Sequence, residues 1–361
     1  MKIIVISGSF EPHISPRSFR TTELVKELAL LGHDITLYIP NDGIDRNETV
    51  NKYKIKIKYY IRLQDRLSCS NNKLIYYLGR FLVYYMGYPD IYILKFLKNA
   101  LKEEARDYDL LITIAAPHQI HWTIGLMYNK GIKLAKKWIA DCGDPYMLAG
   151  TLNRKHPFYF KQFEMRWCRL CDYISVPTEG AKDGYYSEFR NKIRVIPQAF
   201  NFDEIKREEY KNNIIPTFAY TGSIWNGSKD PRPFLDYLCT IKQNFRFYLF
   251  VNNPEILLKY KNILKDKIII SSFIPRLDLI NRLSKMDFLV HFEFNTSKQT
   301  PSKLIDYALS GRPILSIDSL RINKTIIEEF LNGDYSHKYV VKDIEQYNIK
   351  YVAEKILNLC L

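Results

Sequence analysis

The chain lacks the features that a membrane span, a secretory leader or a disulfide scaffold requires. Its longest aromatic stretch, from Leu74 to Leu97, is interrupted by Arg80, Pro89, Asp90 and Lys95, short of the roughly 18 consecutive apolar residues of a spanning helix. The opening MKIIVISGSFEP has one basic residue and a short apolar run ending at Gly8, the pattern of a buried first strand and not of a signal peptide. Six scattered cysteines in 361 residues fit a reducing compartment, and a cytoplasmic location is the expectation. Cys168 and Cys171 form a lone CxxC within FEMRWCRLCDYI; its helical periodicity, with no second cysteine pair nearby, favours buried helix side chains over zinc ligands. The lysines are dispersed and no recognition-helix, RNP or zinc-finger pattern accompanies them, which argues against nucleic acid as a partner.

What is present is the composition of an ordinary soluble fold, 47% hydrophobic and 25% charged, in a chain long enough for two cores. The 53 Lys and Arg against 39 Asp and Glu leave a formal charge of +14. Such a surplus calls for an anionic partner, with nucleotide phosphates and the negative face of a membrane as the remaining classes.

Short β-branched runs alternate with longer segments whose apolar residues recur every three or four positions, the signature of strand-helix-strand units and a parallel sheet. Strands are predicted at KIIVIS, DITLYI, 110–115, 136–141, 173–177 and 193–197, with a helix from Ser18 to Leu31 closed by Gly32. After a polar stretch the pattern restarts, with strands at 218–222, 246–251, 267–271, 287–292 and 312–317. This predicts an α/β protein with two doubly wound parallel sheets: an N-terminal domain over 1–198, a linker near 198–214, a second domain over 214–342 and a terminal helix over 343–361. Ligands of such sheets sit at the carboxyl ends of the strands, so the loops after strands hold the candidates.

Several segments in order along nearly the whole chain resemble the glycosyltransferases of GT-B fold, in particular the family 4 type of bacterial polysaccharide and lipopolysaccharide assembly. They are Phe10, Pro12, Arg20, Gly32 and His33; APHQIHWTIG and WIADCGDPY; VIPQAFN from Val195 to Asn201; and TPSKLIDYALSGRPIL from Thr300 to Leu315. The resemblance implies two Rossmann-like domains facing a cleft, an N-terminal acceptor domain and a C-terminal donor domain. It also implies a nucleoside-diphosphate sugar as substrate, transfer with retention, no cofactor and no metal.

The last of these segments has a physical rationale. A nucleoside diphosphate presents ribose hydroxyls beside phosphates; a carboxylate accepts the former, while a helix N-terminus and a cation hold the latter. Asp306 takes the ribose position that a glutamate holds in the family, and Ser302 and Lys303 at the helix start are the phosphate candidates. Gly222 and Ser223 form a tight turn after the first C-domain strand, and Lys229 or Arg232 supplies a further cation. In the N-terminal domain His118 and His121 follow a strand, His118 being the better placed for sugar or acceptor. Asp141 and Asp144 end the next strand, there either to orient or deprotonate an acceptor hydroxyl or to cap a helix after Pro145. Glu11 and Arg20 complete the set, Arg20 either entering the cleft or forming a helix salt bridge. Neither the histidine pair nor the aspartate pair is expected to be a metal site, no DxD motif and no histidine–carboxylate cluster at ligand spacing being read in the chain.

Two departures from the family pattern stand out. Lys298 occupies the place of an acidic residue eight positions before the ribose carboxylate, with Glu293 the nearest acid, and the loop after the first strand has no glycine between Gly8 and Gly32. A sugar-nucleotide epimerase of the same architecture and a non-catalytic nucleotide-binding relative are the rival readings. The stretch from Lys73 to Lys102, mixing aromatic, aliphatic and basic residues, is either a pair of core helices or a face resting on lipid headgroups. The partners expected are thus a nucleotide sugar, a saccharide or lipid-linked acceptor, and peripherally the inner face of a membrane.

Overall fold

The computed structural model describes residues 1–148, 156–222, 224, 230–252, 254–272, 274–293 and 302–360, without the side chain of Ser302. The chain divides into two compact units, Met1–Phe200 with Gln346–Leu361, and Asn201–Glu345.

In the first unit the elements run β1 (Lys2–Ser7), α1 (Pro16–Leu30), β2 (Asp34–Pro40), α2 (Asn47–Tyr53), β3 (Lys56–Tyr60), α3 (Lys73–Met86), α4 (Ile93–Ala100), β4 (Tyr108–Ala115), α5 (Gln119–Asn129), β5 (Ala135–Cys142), α6 (Phe160–Leu170), β6 (Tyr173–Val176) and β7 (Ile193–Val195). The strands form one parallel sheet ordered β3-β2-β1-β4-β5-β6-β7. Interior strands such as β1 and β4 read as continuous apolar runs because helices cover both faces of the sheet. On one face Ile3 and Val5 pack with Leu24, Val25 and Leu28 of α1; on the other, Ile4 and Ile6 join Trp122, Trp138 and Trp167. The edge strand β3, which alternates isoleucine with lysine, escaped the sequence reading because its half-exposed pattern lacks the long apolar signal of the buried strands.

The second unit runs β8 (Thr217–Thr221), α7 (Arg232–Thr240), β9 (Arg246–Phe250), α8 (Leu258–Leu264), β10 (Ile268–Ser271), α9 (Arg276–Ser284), β11 (Phe288–Phe292), α10 (Ser302–Ser310), β12 (Ile314–Ile317) and α11 (Lys324–Leu331). Its parallel sheet is ordered β10-β9-β8-β11-β12 around stacked Phe218, Phe247 and Phe288. The polar stretch before β8 is tied to this unit: the Tyr210 hydroxyl donates to Asp287, Asn213 Nδ2 donates to the Lys285 carbonyl at 3.1 Å, and the Arg312 guanidinium lies 3.3 Å from the Tyr210 ring centroid.

The final helix, α12 (Ile349–Leu357), returns to the first unit. Ile349, Val352, Ala353 and Ile356 are buried with Leu24, Val25 and Leu28. Where the chain leaves and re-enters this unit, Phe200 N–H donates to the Tyr347 carbonyl and Ile349 N–H to the Phe200 carbonyl, each at 2.9 Å. Both sheets change direction of winding between their first and fourth strands in chain order, β1 against β4 and β8 against β11, and the carboxyl ends at those points are where open sheets of this kind bind ligands.

Candidate functional site

At the carboxyl end of β5 stands Asp141, 4% exposed. Arg20 of α1 grips it with two hydrogen bonds, Nη2 to Oδ1 at 2.8 Å and Nε to Oδ2 at 3.2 Å, and sends Nη1 to the Pro197 carbonyl at 2.7 Å. Ser175 donates to the same carboxylate, and Arg17 Nη1 lies 3.8 Å from it. Burial alone would raise this carboxyl, but the two arginines and Ser175 bring it below its ordinary value. Asp141 is therefore held as the ion-pair partner of Arg20, a weaker base than an ordinary aspartate. Arg20, 2% exposed, spends its guanidinium on Asp141 of β5 and the Pro197 carbonyl, a buried pair between elements and not a salt bridge along its own helix.

Arg17, which the sequence patterns did not single out, packs its guanidinium against Gly143; a Cβ there would meet Arg17 Nη2 at 2.0 Å. The signal was available in the glycine of WIADCGDPY, two residues after a buried acid. Asp144 follows and is exposed. Among the described residues no helix begins at Pro145, and the next described helix starts at Phe160.

His118 occupies the N-cap position of α5, its ring 5.0 Å from that of Tyr146 and 6.1 Å from that of His121. Its Nδ1 is sealed from solvent with no hydrogen-bond partner. Burial, reinforced by His121, His156 and Arg17, brings this imidazole down to about 3, so it is neutral throughout the working range. His121 is fully buried: Nδ1 pairs with Thr113 Oγ1 at 2.8 Å, Nε2 with Cys142 Sγ at 3.2 Å, and the ring packs on Trp167. His118, His121 and Cys142 bring three ligand-type atoms within 4.8 Å of one another, a grouping across two strand ends that sequence spacing did not reveal. Burial drives the Cys142 thiol well up, and His121 already bonds it, so the cluster is a protonated core network rather than a thiolate site.

Glu164 of α6 was also missed. It sits 1% exposed at a core position of its helix, and both Tyr146 N–H and Met147 N–H donate to Oε1 at 3.3 Å. Burial, partly offset by these N–H groups, raises it to about 7. The sequence signal is an acid at the spacing of Phe160, Trp167 and Cys168, where the helix is otherwise apolar. Glu11 instead turns to the helices beside the first loop, with Lys26 Nζ at 2.5 Å and Thr49 Oγ1 at 2.7 Å.

Asp107 and Asp109 do have DxD spacing, which corrects the expectation that the chain has no such motif. They lie at the start of β4, the opposite end of that strand from His118, with Asp107 paired to Lys2 at 2.6 Å and Asp109 to Lys136 at 2.7 Å.

In the second unit the β8 strand ends in Gly222, whose φ of +119° suits glycine and whose N–H donates to the Phe250 carbonyl. Lys303, the second residue of α10, lies along this turn: its ammonium is 3.5 Å from the Thr221 carbonyl and 4.2 Å from the Tyr220 ring centroid. The Tyr307 hydroxyl accepts from Thr221 N–H at 2.9 Å, which locks α10 to the strand end. Asp306 is largely buried and bound by Arg276 of α9, with Nε at 2.7 Å and Nη2 at 2.6 Å, both on Oδ1. Burial raises the Asp306 carboxyl and Arg276 offsets part of the rise. Arg276, at the first position of its helix, is a cation the sequence did not nominate. Arg232, at the start of α7, is half-exposed and pairs with its neighbour Asp230 through Nε and Nη2. Ser223, Lys229 and Lys298 lie outside the described residues, and for Ser302 only the helical backbone is described.

No family model matches the chain, and no curated relative does. Solved structures do. A glycosyltransferase from Rickettsia africae aligns over 99% of this chain and 97% of its own with a TM-score of 0.64 at 13% identity. The lipopolysaccharide outer core galactosyltransferase WaaB aligns over 99% of both chains, TM-score 0.56, at 15% identity. A UDP-GlcNAc 2-epimerase from Neisseria meningitidis, solved with UDP-GlcNAc, aligns over 99% of both chains, TM-score 0.55, at 12% identity. The fold is thus the GT-B fold, two Rossmann-like units in one chain, which glycosyltransferases and sugar-nucleotide epimerases share.

Proposed function

We propose that this chain is a glycosyltransferase moving a hexosyl group from a nucleoside-diphosphate sugar to a saccharide or lipid-linked saccharide, of the family 4 type, with retention and without a metal. The observation that carries the reading is the grouping of Asp306, Lys303 and Gly222 at the carboxyl end of the second sheet. Arg276 occupies Asp306 Oδ1, so Oδ2 is the atom offered to a ribose hydroxyl. Lys303, the Gly222 turn and the amino end of α10 offer positive potential to the two phosphates. Charge gathers on the diphosphate as it leaves, so these groups act most strongly in the transition state.

The first unit supplies the acceptor side. A neutral His118 can accept or donate a hydrogen bond to a sugar hydroxyl but is too weak a base to carry a proton at neutral pH. Asp144 is the exposed carboxylate available to orient the acceptor, and Arg17 is the cation packed against the preceding Gly143. Asp141 and Arg20 are positioning residues. Titrating the protein with UDP, GDP and CMP in a thermal-shift and calorimetric series tests the reading: one diphosphate stabilises the wild type and Asp306→Ala abolishes the response. A folded protein indifferent to every nucleotide would refute it.

The two arginine–carboxylate groupings, around Asp141 and around Asp306, favour the epimerase as second reading, because that chemistry needs paired acids and cations about a sugar nucleotide. Solvent deuterium entering the sugar of a bound UDP sugar, with no acceptor present, would decide for it.

A further inference from the structure

Helix α3 is built to stand on the surface and yet is apolar there. Asn72 caps it, accepting from Leu74 N–H and Ile75 N–H, and Gly87 closes it in the left-handed conformation. Its one buried residue is Gly79, held so tightly to the preceding loop that a Cβ would lie 2.4 Å from Ser68 N. Leu74, Leu78, Phe81 and Tyr85, at spacings of four, three and four, share one face. They are 83%, 54%, 54% and 45% exposed. Ile75, Tyr77 and Met86 widen that face, and Ile61, Leu63 and Tyr92 are exposed on the flanking segments. An ordinary surface helix turns such a stripe inward, whereas this one turns it to solvent.

Charge identifies the occupant. From Tyr59 to Lys102 there are seven basic residues, Arg62, Arg66, Lys73, Arg80, Lys95, Lys98 and Lys102, against Asp65 and Asp90. All seven are exposed, while Asp65 is engaged by Ser68 and Asp90 by Arg62. A second copy of the same face would set like charges against each other; an anionic lipid surface takes the apolar stripe and the cations together. Among the described residues no helix is long and apolar enough to cross a membrane, so the contact is peripheral.

We propose that the outward stripe of α3, with its basic surround, seats the first unit on an anionic phospholipid bilayer and thereby selects an acceptor sugar carried on a lipid. The second clause rests on the glycosyltransferase reading. It follows from where the stripe ends: a Cβ on Gly87 would sit 3.5 Å from Gln119 Nε2 and 3.5 Å from Phe160 Cζ, and the Tyr159 hydroxyl donates to the Tyr85 carbonyl. Gln119 is next to His118, so the membrane-facing helix terminates beside the loop that presents His118 to an acceptor.

The test is flotation of the full chain with vesicles of phosphatidylglycerol and phosphatidylcholine, or of phosphatidylcholine alone. Binding is expected only to the anionic vesicles, and to weaken as salt rises from about 0.1 M to about 1 M, where the Debye length falls from roughly 10 to 3 Å. Leu78→Glu with Phe81→Glu, both exposed, should reduce the bound fraction at least ~10-fold, taking tenfold as the change that about 1.4 kcal/mol brings. The circular dichroism and any nucleotide-induced thermal shift should remain as in wild type. Absence of flotation, equal binding to neutral vesicles, or a variant that floats like wild type would each overturn the proposal. So would a concentration-dependent dimer that the double variant abolishes while no vesicles bind. Flotation without any nucleotide response would leave the membrane surface standing and refute the glycosyltransferase reading instead.

Discussion

Replacing Asp141 by asparagine tests the energetic core of the first unit. The substitution preserves shape but strips the charge that faces Arg20, which is 2% exposed and hydrogen-bonded on three nitrogens to Asp141 and Pro197. Removing one member of a buried pair leaves the other uncompensated, at a cost of about 3–5 kcal/mol, whereas replacing both members by apolar groups is far less costly. For a unit of this size each kcal/mol shifts Tm by about 2–4 °C, so Asp141→Asn should melt roughly 6–20 °C lower. The double variant Asp141→Asn with Arg20→Met should recover a good part of that loss. Guanidinium denaturation of the wild type, both single variants and the double variant gives the coupling directly. The pH dependence has a definite sign. The folded carboxyl is depressed below its ordinary 3.8, so the pair's contribution is complete above that value and is lost as pH falls through the folded one. A single variant costing under about 1 kcal/mol, or strictly additive singles, would refute the account.

Glu164 behaves oppositely. Its folded carboxyl is raised from 4.5 to about 7, so it opposes folding progressively as pH climbs through that interval, by up to about 3 kcal/mol; Glu164→Gln should be more stable than wild type at pH 8 and indistinguishable at pH 4. Gly79→Ala should detach α3 from residues 67–68, because backbone atoms at 2.4 and 2.5 Å cannot yield to a methyl group. Faster proteolysis between 62 and 72 reads this out, with a stability loss of about 1–3 kcal/mol. Removing residues 346–361 uncovers Leu24, Val25 and Leu28, and losing three large buried side chains of α12 removes roughly 5 kcal/mol or more; an unchanged melting profile would contradict the packing seen here. In any pH–rate profile between 5 and 9, His118→Gln should lower the plateau without moving either limb, since His118 stays neutral there.

Periodicity and turn residues made both doubly wound sheets legible, because buried parallel strands are dense β-branched runs punctuated by helix caps. β3 was not, since an edge strand shares its pattern with exposed loops. The donor-side residues Asp306 and Lys303 were nominated from one contiguous motif and Gly222 from the turn after β8, and Lys303 lies along that turn. Arg276 and Arg17 belong to other elements, and their approach to Asp306 and Asp141 depends on tertiary packing that no local spacing encodes. His121 and Asp141 have functional chemistry by type, yet buried partners engage both in the core. Helix α3 reverses that lesson: its hydrophobic period is plain in the sequence, but only the fold reveals that the stripe faces outward.

The return of α12 to the first unit bears on how the chain is made. Residues 201–345 are contiguous and can fold as soon as they leave the ribosome, while the unit that begins the chain cannot bury α1 completely until the last sixteen residues emerge. The second unit in sequence is then the first to be finished. Until α12 arrives, the nascent N-terminal unit carries Leu24, Val25 and Leu28 without the helix that covers them.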